Sequence, residues 1–256
     1  MIDTHAHLID DCYNGKVDEI ILNMAENGLT KVFTVSYNYD SIIKCVKLAE
    51  KYDNVYAIIG IHPEEWKEFE KSKDMLKGYL DHPKVVGVGE IGLDYHYPDT
   101  NKVEQHKIFV EQIKLAYAHK LPIAIHVRDA IGDLIEVLKQ NKDMLKYGVL
   151  IHCFSESVES FDELKKLGCK VAFGGVSTFK NAVKVKDVIK HAELTDFVLE
   201  TDCPYLTPEP MRGKVMNEPK FVKYICENIA NIKGVDFATI DKCTTDNALE
   251  LFTKAK

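Results

Sequence analysis

Eight short, almost wholly apolar segments recur along this chain of 256 residues, and segments of helical periodicity separate them. The pattern predicts strands within the first eight residues and at 31–36, 55–60, 85–90, 122–126, 149–152, 170–173 and 197–201. Apolar runs without alternation are typical of parallel strands that are buried on both faces. In a chain of about 250 residues they favour an α/β fold, a single (β/α)8 TIM barrel over residues 1–256. A doubly wound open sheet is the alternative.

Helical spacing of apolar residues fills the intervals between these strands. It predicts helices at 16–27, 41–51, 66–80, 102–120, 129–139, 158–167 and 182–191, and two C-terminal helices at 220–231 and 236–254. In the longest of the seven inter-strand helices, Phe109, Ile113 and Ala116 should face inward. Because the C-terminal pair exceeds what the eight-fold alternation needs, an additional C-terminal helix is expected.

Composition restricts the compartment and the partners. The net charge of −7 argues against a generally basic surface that coats nucleic acid, so any phosphate binding must be local. Seven cysteines without a C-x-x-C pair indicate reduced thiols. No apolar run reaches the length of a membrane span, and Asp3 and His5 interrupt any signal peptide. We expect a soluble, cytoplasmic protein that does not bind membranes.

Two histidines one residue apart, His5 and His7, lie in the first predicted strand. Side chains at positions i and i+2 of a strand lie on the same face, so this pair could offer two neutral ring nitrogens to one metal ion. Taken alone, the pair is more readily explained by two ordinary histidines on the surface or at the edge of the core.

Four further residues each follow or end an apolar run: Glu90, His126, His152 and Asp202. Each has an ordinary alternative, which is a salt bridge for Glu90, a hydrogen-bonded core histidine for His126 and His152, and a turn or N-cap for Asp202. Active sites of barrels lie at the C-terminal ends of the strands, where all these residues fall. Their common position therefore favours one metal-binding site.

Four imidazoles and two carboxylates exceed the needs of one tetrahedral ion, so we expect two divalent cations. Glu90 is the candidate bridge, with His5, His7 and Asp202 on one ion and His126 and His152 on the other. Such a pair would bring the pKa of a bound water near neutrality, and Asp202 could take its proton. The predicted catalytic residues are therefore Glu90 and Asp202. These ligands suit Zn²⁺, Mn²⁺ or Ni²⁺, whereas Mg²⁺ prefers oxygen ligands.

Only two arginines occur in the chain, and both fall in loops at the predicted C-terminal mouth of the barrel. The guanidinium group binds phosphate oxygens in a bidentate manner, so this placement favours a phosphate ester as the substrate. The predicted phosphate-binding residues are His62, Arg128, Ser155, Arg212 and Lys214.

Short motifs over the whole chain match a known family. They are DTHAH at 3–7, GIHP at 60–63, GEIGLD at 89–94, PIAIHVRDA at 122–130, HCFS at 152–155, ETDCP at 200–204, RGK at 212–214 and NEP at 217–219. In these motifs the chain resembles the TatD-family metal-dependent hydrolases, which are amidohydrolase-like barrels described mostly as deoxyribonucleases. One position departs from the family pattern, because Glu156 follows Ser155 where the family usually has glycine. This carboxylate would crowd or acidify the phosphate side of the site.

The resemblance implies a (β/α)8 barrel, divalent metals held by the six residues, and hydrolysis of DNA phosphodiesters. It further implies 3′-to-5′ exonuclease activity, with single-stranded DNA or 3′ ends as the substrate. Two other functions stay open on the sequence. The first is an amidohydrolase or deacylase that acts on a small molecule or an aminoacyl ester, and this activity would need the metals but not the arginines. The second is a metal-binding protein without catalysis.

Overall fold

All eight predicted strands are present in the computed structural model, which describes residues 1–256. The strands are β1 Ile2–Ala6, β2 Lys31–Val35, β3 Val55–Ile59, β4 Val85–Asp94, β5 Ile123–Arg128, β6 Val149–Ile151, β7 Cys169–Phe173 and β8 Phe197–Leu199. They pair in parallel and in sequence order. The segment that follows β8 pairs with β1 and brings the two edges together, since the Asp202 N–H donates to the His5 carbonyl at 2.9 Å. This arrangement confirms the (β/α)8 barrel and excludes the open sheet.

Nine α-helices surround the barrel or follow it. They are α1 Val17–Glu26, α2 Tyr39–Lys51, α3 Phe69–Tyr79, α4 Lys102–Ala118, α5 Ile131–Gln140, α6 Val158–Lys166, α7 Val183–His191, α8 Val222–Lys233 and α9 Phe237–Leu251. The third helix begins later than predicted, because Pro63–Glu68 forms a 3₁₀ helix before it. Strand β4 is longer than predicted, because its pairing with β5 continues as far as Asp94 and Arg128.

The core has an outer and an inner part. The outer part lies between strands and helices and includes the predicted inward residues Phe109, Ile113 and Ala116, all buried. The inner part fills the barrel with side chains such as Phe33. At the N-terminal end of the strands this part is closed by Phe252, whose ring centre lies 5.0 Å from that of Phe33. The C-terminal chain thus plugs one end of the barrel and leaves the opposite end for a site.

A close approach at Gly148 shows how tightly this plug fits. A Cβ atom at Gly148 would lie 2.3 Å from the Leu251 Cδ1 atom, and the backbone there has a φ of +111°. Only glycine adopts this conformation without strain and leaves the space for α9.

Two further expectations concern membranes and cysteines. None of the helices combines the length and the apolar character that a membrane crossing requires. All seven cysteines are unpaired, as the sequence predicts.

Candidate metal centre

The six predicted ligands meet at the C-terminal mouth of the barrel. His5 lies in β1 and His7 directly follows it, while Glu90 lies in β4 and His126 in β5. His152 follows β6, and Asp202 follows β8. All but His126 are buried, and His126 is half-buried. Parallel strands bring these positions together because their C-terminal ends form one rim of the barrel.

Glu90 lies at the centre of the group, and its two carboxylate oxygens face different imidazoles. Oε2 is 3.3 Å from His5 Nε2 and 3.7 Å from His7 Nε2. Oε1 is 2.9 Å from His126 Nδ1 and 2.7 Å from His152 Nε2. The carboxylate therefore has the placement that a bridge between two cations requires.

Asp202 completes the group on the side of β1. Its Oδ1 atom lies 3.4 Å from His7 Nε2 and 3.9 Å from His5 Nε2. The residue has a φ of +53°, a left-handed conformation that is uncommon outside glycine. Because its backbone N–H is bonded to the His5 carbonyl, the closure of the barrel holds this conformation and aims the carboxylate at the histidines.

Both carboxylates are charged at neutral pH. Burial raises the pKa of Glu90, but the neighbouring imidazoles, with His152 first, outweigh burial and hold that pKa well below its ordinary value. For Asp202 burial also raises the pKa, but the hydrogen bond with His7 and the nearby imidazoles bring it below the ordinary value. The site therefore offers two carboxylates as anionic donors.

Two buried nitrogens in this group lack a hydrogen-bond partner. They are the two ring nitrogens of His5, which neither donate nor accept a hydrogen bond. Buried polar atoms are normally paired, because an unpaired one loses its hydration without compensation. Imidazole nitrogens beside carboxylate oxygens form the donor set that divalent transition metals prefer, so the residues fit the predicted cations.

Asp94 also belongs to this site, although it was not predicted. Its Oδ2 atom lies 2.8 Å from His126 Nε2, and the carboxylate is buried. Because Asp94 and Glu90 are both in β4 at positions i and i+4, they lie on the same face of the strand. The four-residue spacing between Glu90 and Asp94 could have indicated this from the sequence, but only if the predicted strand had been extended to Asp94.

His62 lies on the wall of the cavity in a defined hydrogen-bonding state. Its Nδ1 atom accepts a hydrogen bond from the Glu64 backbone N–H at 3.2 Å. Burial, together with the nearby His126, lowers the pKa of His62 to about 3. The ring is therefore neutral at pH 7, with its proton on Nε2, so this nitrogen can donate a hydrogen bond.

Glu200 lies behind His152 and was not predicted. It is fully buried, and its Oε1 atom accepts from the Cys153 N–H at 2.6 Å and lies 3.6 Å from His152 Nδ1. A carboxylate behind a metal-binding histidine orients the ring and selects its tautomer. Glu200 is therefore placed to orient the His152 ring.

Replacing Glu200 with glutamine should lower the affinity for metal by roughly 10- to 100-fold, because His152 would lose its anionic support. Competition with a chromophoric chelator measures this affinity directly. The exposed Glu227 on α8 provides the matched control, and Glu227→Gln should bind metal as the wild type does. Equal affinities for the two variants would show that Glu200 does not act on the ligands.

A cavity of about 730 Å³ opens above the six residues. Three of the predicted phosphate-binding residues line it, namely His62, Arg128 and Ser155. Arg212 and Lys214 are exposed and are not among the residues that line it. The Arg212 guanidinium instead lies over the Phe179 ring, 3.7 Å from its centre, because the loop after β8 packs towards the loop after β7.

The wall of this cavity is acidic. Arg128 is the one arginine on it, whereas the carboxylates on it are Glu64, Glu65, Glu90, Asp94, Asp129, Glu156 and Asp202. Glu156, the residue that departs from the family pattern, thus faces the cavity as expected. A polyanion would be repelled from this wall unless cations compensate the charge.

A (β/α)8 barrel with histidines and carboxylates gathered at its C-terminal mouth is the arrangement of a metal-dependent hydrolase. Comparison with known proteins specifies the family. Residues 2–253 match the family model described as "TatD related DNase", so the chain belongs to the TatD family.

Named relatives agree with this assignment. The chain is 40% identical over 253 residues to YabD of Bacillus subtilis, described as an uncharacterized metal-dependent hydrolase, with 98% of each chain covered. It is 32% identical over 255 residues to YcfH of Escherichia coli, which has the same description, with 98% of this chain and 95% of the relative covered. The crystal structure of YJJV, a TatD homolog from Escherichia coli, superposes with a TM-score of 0.93 at 29% identity, covering 99% and 98% of the two chains. The protein is therefore a metal-dependent hydrolase of the TatD family.

Proposed function

We propose that this hydrolase cleaves phosphodiester bonds of DNA with two divalent cations, acting on single strands from the 3′ end. The observation that carries the proposal is Glu90, whose two oxygens face separate pairs of imidazoles beneath a cavity with Arg128 on its wall. The family description as a DNase supports the choice of DNA. Unpaired cysteines fit a cytoplasmic site of action.

Each residue on the cavity wall has a separate role in the proposed hydrolysis. When bound, the cations supply Lewis acidity and lower the pKa of a bound water to near 7. Asp202 accepts the proton of the attacking water, and the Nε2–H of His62 donates to a phosphate oxygen. Arg128 binds the phosphate from the rim, where its exposed guanidinium has room for a bidentate contact. Ser155 offers a further hydroxyl to the same group.

Replacing Arg128 with alanine should lower kcat/KM for a DNA oligonucleotide by about 10- to 100-fold, because a charge-assisted hydrogen bond to the phosphate is lost. Steady-state assays with Mn²⁺ and with Mg²⁺ measure the effect. The matched comparison is Arg212→Ala, for which we expect a smaller loss because Arg212 stacks on Phe179 outside the cavity. A wild-type enzyme that leaves DNA intact with every candidate metal would refute the proposed activity.

The acidic wall favours a second candidate, a deacylase acting on an aminoacyl ester or a similar amine-bearing compound. An ammonium group on the substrate could pair with Glu65 or Glu156, both of which line the cavity. Such an enzyme needs the metal ligands but not the guanidinium. Turnover of an aminoacyl ester that Arg128→Ala leaves unchanged, without cleavage of DNA, would establish this function in place of the first.

A further inference from the structure

A second cleft, of about 350 Å³, opens beside the cavity of the metal centre. Glu64 and Tyr97 line both spaces, so the cleft continues the cavity along the surface. Its walls come from the 3₁₀ helix Pro63–Glu68 after β3, from the loop between β4 and α4, and from the first turn of α4. None of the predicted site residues lies in this cleft.

Two aromatic residues, Trp66 and Tyr97, line the cleft. Tyr97 is 47% exposed, which is high for a large aromatic side chain and leaves much of its ring accessible. The Arg128 guanidinium lies 5.9 Å from the centre of this ring, on the path from the cavity to the cleft. Exposed aromatic rings beside a cationic group are the elements with which proteins bind unpaired bases of nucleic acids.

A buried amide adds a polar contact to these aromatic walls. Gln105 lines the cleft although only 2% of its surface is exposed. Its Oε1 atom accepts from the Asp94 backbone N–H at 2.9 Å, which fixes the orientation of the amide group. The amide nitrogen donates no hydrogen bond within the chain, so it remains available to an acceptor on a ligand.

The charges on the cleft indicate which part of a ligand it accepts. Glu64 and Asp99 line it together with Lys67, whose Nζ atom lies 5.4 Å from the centre of the Trp66 ring. This balance disfavours a phosphate group inside the cleft but tolerates an uncharged base and sugar. The phosphates on either side of that nucleoside would then lie towards Arg128 and Lys67.

We propose that this cleft binds an unpaired nucleoside of the substrate next to the scissile phosphate, with its base against Trp66 and Tyr97 and a base acceptor on the Gln105 amide. The proposal rests on the proposed function, since it extends the path of the same strand. It assigns to the loops after β3 and β4 the recognition of a second nucleotide, in addition to the phosphate at the metal centre.

Replacing Trp66 with alanine should raise KM for a short single-stranded oligonucleotide by about 5- to 100-fold with little change in kcat, as expected for the loss of base stacking. The same variant should lower the preference for the oligonucleotide over bis(4-nitrophenyl) phosphate, a diester without a base. Trp66→Phe should restore most of the affinity. Tyr117→Ala, an aromatic replacement on α4 outside both spaces, is the matched control.

Binding can also be measured without turnover, because Trp66 is the only tryptophan in the chain. With Ca²⁺ in place of a catalytic metal, an oligonucleotide should quench the fluorescence, whereas one that lacks the base at this position should quench less. If the wild type cleaves DNA, an unchanged KM in Trp66→Ala, or equal quenching by the two oligonucleotides, would refute the binding of a nucleoside in this cleft. Absence of DNA cleavage by the wild type would instead refute the proposed function.

Discussion

Replacing Glu90 with glutamine is expected to deprive the protein of bound divalent metal and to lower phosphodiester hydrolysis by at least about a thousandfold. The carboxylate is the one group whose two oxygens face both pairs of imidazoles, His5 with His7 and His126 with His152. Glutamine has nearly the same size but presents one oxygen and one NH₂ group. It can therefore serve one pair at most, and it brings no charge to compensate the cations.

Elemental analysis of the purified variant and assays at saturating metal measure the two parts of this prediction. The exposed Glu250 on α9 gives a matched control, since Glu250→Gln changes the same functional group far from the site. Glu90→Asp keeps the charge but shortens the side chain, so it should retain part of the metal and little of the activity. A Glu90→Gln protein with wild-type metal content and turnover would refute the bridging role.

The barrel and the six candidate ligands could be predicted because both follow from local sequence. An apolar run marks a strand that is buried on both faces, and a polar residue at its end marks the rim of the barrel. Glu90 and Asp202 are far apart in the chain, yet the parallel strands place the C-terminal ends of β4 and β8 on the same rim of the barrel. Their proximity therefore required no knowledge of side-chain packing.

Other parts of the site depend on how loops pack, which periodicity does not encode. Arg212 follows β8 as predicted, but its stacking on Phe179 is a contact between two loops. The cleft with Trp66 likewise arises because the 3₁₀ helix after β3 lies beside the loop after β4. Glu200 was overlooked for a different reason, since a buried carboxylate behind a ligand resembles an ordinary residue at the end of a strand.

Replacing Asp202 with asparagine is expected to lower kcat by about 10²- to 10⁴-fold while much of the bound metal is retained, because a proton acceptor is lost and an oxygen ligand is kept. Its carboxylate lies 3.4 Å from His7 Nε2, lines the cavity, and has a pKa below the ordinary value, so it is charged and ready to accept a proton at pH 7.

Parallel measurement of metal content and kcat separates the role of Asp202 as a proton acceptor from its role as a metal ligand. Asp129→Asn, which changes another carboxylate on the cavity wall, should have a far smaller effect. A proportional loss of metal and activity would make Asp202 a ligand only, and turnover within tenfold of the wild type would assign the proton to another group.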